Sequence, residues 1–273
     1  MTSLLDELPT GGERRLAVRI TPDALRRIRG GHPWIYDGSI EFVSHEGAPG
    51  DLAVVFDRDR RFAAIGLWDP GSPIRLKVLH VGKPETIDDD WFRRRVAESV
   101  DRRAELWAGT RRDRIGYRAV NGENDGLPGL VVDCYADVAV IKLYTASWYP
   151  HLRSVLDAVV GATGVEHVVL RLSRAMQDEE TYGLADGDTL LGEPPDPVLF
   201  TEAGLTFEAD VRRGQKTGYF LDQRANRKYV GAASAGRSVL DVFASTGGFS
   251  VHAAAGGARS VHAIDQSAPT LAV

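Results

Sequence analysis

Two stretches in the last quarter of the chain combine residue types that suit a small-molecule site. The first, "GQKTGYFLDQR" at 214–224, holds two glycines, two adjacent aromatic residues and an Asp-Gln-Arg trio. The second, "LDVFASTGGFS" at 240–250, runs from an apolar segment into a Gly-Gly turn. An aromatic side chain packs on a ligand while Asp, Gln and Arg supply donors and acceptors, and glycine lets the ligand approach the backbone. We therefore predict that the two stretches form one site.

The pattern around the second stretch indicates which class of ligand binds there. Residues 238–243 read as a buried strand, 245–248 as a turn, 249–255 as a helix and "SVHAID" as a second strand that ends at Asp265. An acid at the end of the second strand of a doubly wound α/β fold holds ribose hydroxyls. The dinucleotide and phosphate-loop glycine patterns are both missing. A phosphate-poor nucleoside such as S-adenosylmethionine (SAM) is favoured over a dinucleotide. The remaining alternative is that the Gly-Gly turn and the Asp at the end of the strand have only a structural role.

The rest of the chain divides into units that must position this site. Residues 16–79 alternate short strands with one helix, in which Thr21 is the cap, Pro22 the first residue and Gly30 the stop, and this predicts a small β-barrel. A linker, a helix over 91–107 and further α+β elements follow as far as the "GEPPDP" break. We predict an α/β and α+β multidomain protein with units at 1–82, 83–196 and 197–273.

Composition excludes several classes of protein. A net charge of −5 gives no global argument for nucleic acid, so any RNA surface must be local. The single cysteine, Cys134, rules out an internal disulfide, and we expect no metal site. The chain shows no signal peptide and no apolar run of the ~18 residues that a membrane span needs, which favours the cytoplasm. The arginine-rich run at 91–114 suits RNA contact or a solvated helix with acid–base pairs.

Several segments taken in order resemble a known family. They are "HPWIYDGSI", "GDLAVVFD", "RAVNGENDGLPGLVVDCY", the 214–224 stretch, "VLDVFASTGGFS" and "VHAID". Together they resemble the large-subunit rRNA cytosine-C5 methyltransferases over nearly the whole chain. The resemblance implies a PUA-like β-barrel, a central α+β domain and the first part of a Rossmann-like SAM-dependent methyltransferase domain. It also implies formation of 5-methylcytosine in large-subunit rRNA, with SAM as cofactor and rRNA as partner.

The resemblance implies roles for individual residues. The SAM pocket on the first turn would be lined by Asp241, Phe243, Ser245, Thr246, Gly247 and Gly248. Asp265 would hold the ribose. The methionine and target side would be covered by Phe220, Asp222, Gln223 and Arg224. Candidate RNA contacts, with plain surface as the alternative, are Arg26, Arg27, Arg29, His32, Lys216 and Arg227.

Methylation of cytosine C5 needs a thiolate that adds to C6. The family implies a catalytic cysteine in a later motif, so we expect a C-terminally truncated chain whose catalytic residue lies beyond Val273. We expect Cys134 to be a buried strand residue rather than this nucleophile. Two strands and one helix cannot bury both faces of a parallel sheet, so the C-terminal segment should be poorly ordered or aggregation-prone alone. The alternatives are an inactive PUA-like RNA-binding protein and a small-molecule methyltransferase, and a homodimer is one option for assembly.

Overall fold

The computed structural model describes residues 4–12, 14–107, 114–178 and 180–271. The first sheet has six strands in the order β2-β6-β5-β4-β1-β3. Its strands are β1 (Leu16–Ile20), β2 (Trp34–Ile35), β3 (Ile40–Val43), β4 (Leu52–Phe56), β5 (Phe62–Trp68) and β6 (Leu76–Val81). No described ladder joins the edge strands β2 and β3, so barrel closure stays a prediction.

Helix α1 (Pro22–Arg29) forms where the sequence predicts it, and its buried Ala24 and Ile28 join the core of this sheet. The Thr21 side chain accepts a hydrogen bond from the backbone N–H of Ala24 at 3.3 Å, and Pro22 opens the helix. Gly30 ends it by donating to carbonyls of the last turn. The short strands β2 and β3 were not predicted, because four residues or fewer are too short to show an alternating pattern.

The central unit is a five-stranded sheet in the order β11-β10-β9-β8-β7. Its strands are β7 (Gly116–Asn121), β8 (Leu130–Tyr135), β9 (Val138–Leu143), β10 (His167–Leu172) and β11 (Thr189–Leu191). Its helices are α2 (Asp89–Asp101), α3 (Leu152–Thr163) and the single turn α4 (Arg174–Gln177). The two longer helices pack together, and their apolar residues form the main core with one face of this sheet.

Helix α2 ends at Asp101, six residues before the predicted end, and a 3-10 turn covers Ala104–Trp107. The reason is electrostatic: Arg102 and Arg103 turn toward the buried carboxylate of Asp125, at 2.8 and 2.6 Å. The part of the arginine-rich run at 108–113 lies outside the described residues.

The second face of the central sheet is covered only in part. The hairpin of β12 (Val198–Glu202) and β13 (Leu205–Ala209) packs there through aromatic rings. Beyond the hairpin, a strip of the same face remains partly or fully exposed, and we call it the open strip: Asn121, Val131, Lys142 and Tyr144. The first three are cross-strand partners, and Tyr144 follows Lys142 by two residues, so all four share one face.

The C-terminal unit holds the parallel pair β14 (Ser238–Val242) and β15 (Ser260–Ile264). Its helices are α5 (Arg224–Ala233), α6 (Gly248–Ala255) and α7 (Ala268–Leu271). The strand predicted at 238–243 is present as β14, but its predicted burial is wrong, since Leu240 is 61% and Val242 49% exposed. The described elements cover only one face of this two-stranded sheet, and a parallel strand is buried only when both faces are covered.

Candidate functional site

The 214–224 segment is anchored to the central sheet by buried side chains. The Thr217 hydroxyl donates to a carboxylate oxygen of Asp133 at 2.6 Å and lies 2.9 Å from the Tyr135 hydroxyl. The backbone N–H of Tyr219 donates to that same hydroxyl at 3.2 Å. Asp133 is in turn held by the Arg118 guanidinium, with 2.8 Å between Nε and Oδ1. The Lys-Thr pair of the motif therefore begins a structural attachment rather than a phosphate loop.

Two cations on neighbouring strands complete the attachment. Lys142 on β9 donates to the carbonyl of Lys216 at 2.8 Å, and Arg171 on β10 donates to the carbonyl of Gly214 at 3.0 Å. The Lys216 ammonium lies 4.4 Å from the centre of the Phe220 ring. The segment is thus fixed on the central sheet and presents Phe220 toward the C-terminal unit.

The turn after β14 has a strained backbone that is held at both ends. Phe243, Ser245 and Gly247 have φ values of 64°, 51° and 72°, a region that only glycine enters without cost. Asp241 accepts from the backbone and side chain of Ser250 at 3.1 and 2.8 Å and so caps α6. Backbone strain of this kind persists where the surroundings over-determine it, which is common at ligand sites.

Asp265 holds the same turn from the neighbouring strand. Its carboxylate accepts from the backbone N–H groups of Ser267 and Ser245, both at 2.9 Å. These two hydrogen bonds lower the pKa of Asp265, so the group is ionised near neutral pH. The predicted ribose acid therefore stands beside the turn, as the sequence indicates.

Two adjoining cavities, of about 140 and about 310 Å³, lie between the segment and the turn. Both are lined by Phe220, Ser245 and Thr246. The cavities bring together six of the predicted cofactor residues: Phe220, Gln223, Phe243, Ser245, Thr246 and Gly248. The other five do not line them: Asp222, Arg224, Asp241, Gly247 and Asp265. The combined space reaches the ~300–1,000 Å³ range that small-molecule pockets occupy.

Asp222 instead pairs with the Lys216 ammonium at 2.9 Å and accepts from the Gln223 amide at 3.2 Å. Partial burial acts to raise the pKa of Asp222, but these two hydrogen bonds outweigh it and lower the pKa overall. Asp222 therefore orients the side chains of Lys216 and Gln223, which precede and follow Phe220 in the chain.

Tyr219 is a cavity residue that the sequence did not single out. Its side chain is 3% exposed, and within the described part of the chain its hydroxyl has no hydrogen-bond partner. Burial raises the pKa of Tyr219, so the hydroxyl stays protonated and can donate. A Cβ on Gly248 would come within 2.7 Å of this hydroxyl, so glycine is required there. An orphaned donor costs about 1–3 kcal/mol, which an acceptor atom of a ligand would recover.

A buried ion cluster lies directly behind the cavities, centred on Glu202. The Arg227 guanidinium donates to both Glu202 carboxylate oxygens at 2.7 Å, and His252 Nε2 lies 3.2 Å from one of them. Arg224 lies 3.6 Å from the same carboxylate and donates to the carbonyl of Gly116. Burial lowers the pKa of His252 and outweighs the opposing effect of Glu202. The cluster joins the β12–β13 hairpin to α5 and α6.

This cluster corrects two predictions. Arg227, predicted as an RNA contact, is only 2% exposed and is committed to Glu202, so that prediction is wrong. Arg224, predicted at the cofactor, is committed to Glu202 and the central sheet instead. Glu202 and His252 were missed because their partners are far away along the chain.

The other predicted RNA contacts stay predictions. Arg26 and Arg27 both pair with Asp23, at 2.7 and 2.8 Å, and their side chains are mostly exposed. Arg29 lies 3.4 Å from Asp57. His32 hydrogen-bonds the backbone of Trp34 and contacts its ring edge-on. Lys216 remains partly exposed beside its partner Asp222.

The arginines of α2 favour the solvated-helix alternative, since each has an acidic neighbour. The shortest N···O distances are 2.5 Å for Arg93–Asp90, 3.0 Å for Arg94–Glu85 and 3.7 Å for Arg95–Glu98.

Elsewhere, ligand atoms of Asp137, Glu166 and His167 lie within 4.8 Å of one another. Exposed acidic groups of this kind are common without a metal ion, so the cluster carries no assignment. Across the described ranges, no helix has the length and apolar character that crossing a bilayer requires.

Comparison with known protein families identifies a domain in the N-terminal part of the chain and another in the C-terminal part. Residues 18–80 match a PUA-like domain, and residues 152–272 match an S-adenosylmethionine-dependent methyltransferase family. A ribosomal RNA large subunit methyltransferase of Deinococcus radiodurans is 51% identical over 267 residues, which cover 96% of this chain and 65% of that protein. The homologues of this chain are large-subunit ribosomal RNA methyltransferases.

A second relative and a solved structure extend this result. Ribosomal RNA large subunit methyltransferase I of Aeromonas salmonicida is 35% identical over 88% of this chain and 60% of its own length. A solved candidate methyltransferase complexed with SAH has a TM-score of 0.76 at 20% identity, over 94% of this chain and 64% of that one. The fold is therefore shared, and the chain spans slightly less than two thirds of the length of these curated relatives.

Proposed function

We propose that the protein is a cytoplasmic, SAM-dependent methyltransferase that modifies large-subunit rRNA. The observation that carries the proposal is the pair of cavities between the 214–224 segment and the turn after β14. The orphaned Tyr219 hydroxyl in the smaller cavity supports an occupant with a hydrogen-bond acceptor. The names of the relatives and the SAH-bound neighbour support the choice of cofactor and substrate.

The residues that line the cavities fit a nucleoside with an amino-acid tail. Phe220 and Phe243 offer aromatic surface, while Ser245, Thr246 and Gln223 offer polar groups. Asp265 lies outside both cavities but stays ionised beside the turn, where it would accept hydrogen bonds from the ribose hydroxyls of a ligand that reaches it. SAM would supply an electrophilic methyl group, and the protein's part is to hold it in line with the acceptor atom.

Calorimetric titration with SAH tests the cofactor assignment. We expect Phe220→Ala and Asp265→Ala each to weaken binding at least about tenfold, which is the cost of losing ~1.4 kcal/mol. Phe42→Ala is the matched control, since Phe42 is an exposed phenylalanine on the first sheet. Unchanged affinity in both site variants would refute the assignment.

We further propose cytosine C5 as the methylated position, on the resemblance stated above. This chemistry requires a thiolate. Cys134 is the single cysteine of the 273 residues, and it is 0% exposed in β8, within the helix-side core of the central sheet. Cys134 therefore does not reach either cavity and is not the nucleophile.

The test incubates the protein with SAM and large-subunit rRNA and identifies the product by nucleoside mass spectrometry. Where a cysteine outside these 273 residues supplies the thiolate, we expect 5-methylcytidine, and Cys134→Ala should be as active as the unsubstituted protein. A different methylated nucleoside would overturn the C5 position while leaving the methyltransferase proposal intact.

The burial of Cys134 also favours one alternative, an RNA-binding protein without catalysis. That alternative predicts salt-dependent RNA affinity with no methyl transfer. The methyl-transfer assay therefore separates the two functions.

A further inference from the structure

A cavity of about 550 Å³ lies between the first sheet and the central unit, and none of the candidate cofactor residues lines it. The first sheet contributes Trp34, Asp69 and Lys77, and the central unit contributes Glu123, Val131 and Tyr144. The cavity is large enough to hold one nucleotide base with neighbouring water.

The polar groups of this cavity are paired within the protein. The Trp34 indole N–H donates to a Glu123 carboxylate oxygen at 3.2 Å, which ties the two units together. The Lys77 ammonium is bonded to Asp69 and to the carbonyl of Ile74, and Thr145 also donates to Asp69 at 2.7 Å. The charges of Lys77 and Asp69 therefore cancel, and the aromatic rings are the groups left to contact an occupant.

The cavity opens onto the open strip, because Val131 and Tyr144 belong to both. Tyr144 is 52% exposed although it lies on the face of a sheet. The Lys142 ammonium lies 5.6 Å from the centre of the Tyr144 ring and also donates to the carbonyl of Lys216. Lys216 in turn lies over Phe220, the residue shared by both candidate cofactor cavities.

Aromatic rings and cations thus form one continuous series from the cavity between the first sheet and the central unit to the cofactor cavities. The order is Trp34, Tyr144, Lys142, Lys216 and Phe220. Unpaired RNA needs this combination, because its exposed bases stack on aromatic rings and its phosphates attract cations. Base-paired RNA keeps its bases stacked inside the helix and offers the rings nothing to contact.

We propose that unpaired nucleotides of the RNA substrate bind along the open strip, with one base in the interdomain cavity against Trp34 and Tyr144. The inference rests on the proposed function, because the strip leads to the cavities assigned to SAM. The protein then selects single-stranded or looped RNA over a continuous duplex.

Fluorescence titration with a short RNA that carries 2-aminopurine tests this surface, since stacking on tyrosine or tryptophan quenches the base. We expect Tyr144→Leu to weaken binding about tenfold and to reduce the quenching, because each base–aromatic stack is worth ~1–3 kcal/mol. Tyr229→Leu is the matched control, as Tyr229 is 75% exposed on α5 outside the strip. Lys142→Met should lower the slope of log affinity against log salt by about one phosphate contact.

SAH affinity measured on the same proteins separates this inference from the proposed function. If the native protein binds SAH and Tyr144→Leu leaves the RNA affinity unchanged, the proposal that RNA binds along the open strip is refuted and the proposed function stands. Equal affinity for a duplex and a single strand of the same sequence would also overturn it. Failure of the native protein to bind SAH would instead refute the proposed function.

Discussion

Glu202 is the position at which one substitution should reveal most about how the site is supported. Glu202 is 1% exposed, and its carboxylate accepts two hydrogen bonds of 2.7 Å from Arg227, which is 2% exposed. His252 and Arg224 also lie within 4 Å of it. Glu202→Gln keeps the shape of the side chain and removes its charge, so Arg227 is left as a buried cation with no full counter-charge.

Breaking a buried pair by removing one partner costs about 3–5 kcal/mol, because the remaining charge is still out of water. We expect Glu202→Gln to lower the free energy of unfolding by that amount in urea denaturation followed by circular dichroism. Glu98→Gln is the control, since the Glu98 side chain is 58% exposed, lies 3.7 Å from Arg95, and surface pairs contribute ~0–1 kcal/mol.

The double variant Glu202→Gln/Arg227→Met tests the mechanism itself. Arg227→Met removes the buried cation that Glu202→Gln leaves without its counter-charge, so the double variant should lose less stability than Glu202→Gln alone. A loss under about 1 kcal/mol for Glu202→Gln, or effects of the two substitutions that simply add, would refute the reasoning.

Three further predictions concern other parts of the molecule. Burial lowers the pKa of His151 and of His252 below the reference value of 6.5. As the pH drops through 6.5, the unfolded chain therefore takes up protons before the folded chain does, and the free energy of unfolding should fall. His151→Gln should reduce the slope of the free energy of unfolding against pH by up to ~1.4 kcal/mol per pH unit, measured by urea denaturation at several pH values. A slope that His151→Gln leaves unchanged would contradict this. Thr217→Val should cost about 1–3 kcal/mol of unfolding free energy, because it removes the donor to the buried carboxylate of Asp133, and a cost near zero would show that the attachment is not needed. Leu240→Lys should reduce hydrophobic-dye fluorescence and light scattering while changing stability by less than ~0.5 kcal/mol, since Leu240 is mostly exposed, and unchanged dye binding would mean that this face is covered in solution.

The sequence predicts well where the signal is local. The cap at Thr21, the stop at Gly30 and the glycine turn before α6 are specified by a few adjacent residues, and each is where the pattern places it. Asp265 follows β15 for the same reason, because one strand and its end are enough to locate it.

The sequence fails where the partners are distant. Arg227 lies in a basic run and looks like a surface residue, and only the fold brings Glu202, 25 residues away, against it. In the sequence Tyr219 and Phe220 look like equivalent aromatic residues. The fold distinguishes them, because the Tyr135 hydroxyl, which also bonds the Thr217 hydroxyl, accepts from the Tyr219 backbone N–H and Tyr219 is buried at the cavity. Local periodicity carries no information about such pairings.

The attachment of the 214–224 segment to the central sheet has a thermodynamic consequence. One wall of the candidate cofactor site belongs to the central unit through Thr217 and Lys216, and the opposite wall belongs to the C-terminal unit through Ser245 and Thr246. A ligand that contacts both walls binds only when the two units are docked. Its binding free energy therefore stabilises the docked state relative to the undocked state. At a concentration 100 times its dissociation constant, such a ligand would favour the docked state by ~2.7 kcal/mol. Cofactor and interface would then act as one cooperative unit, in which the ligand holds two parts of the chain together.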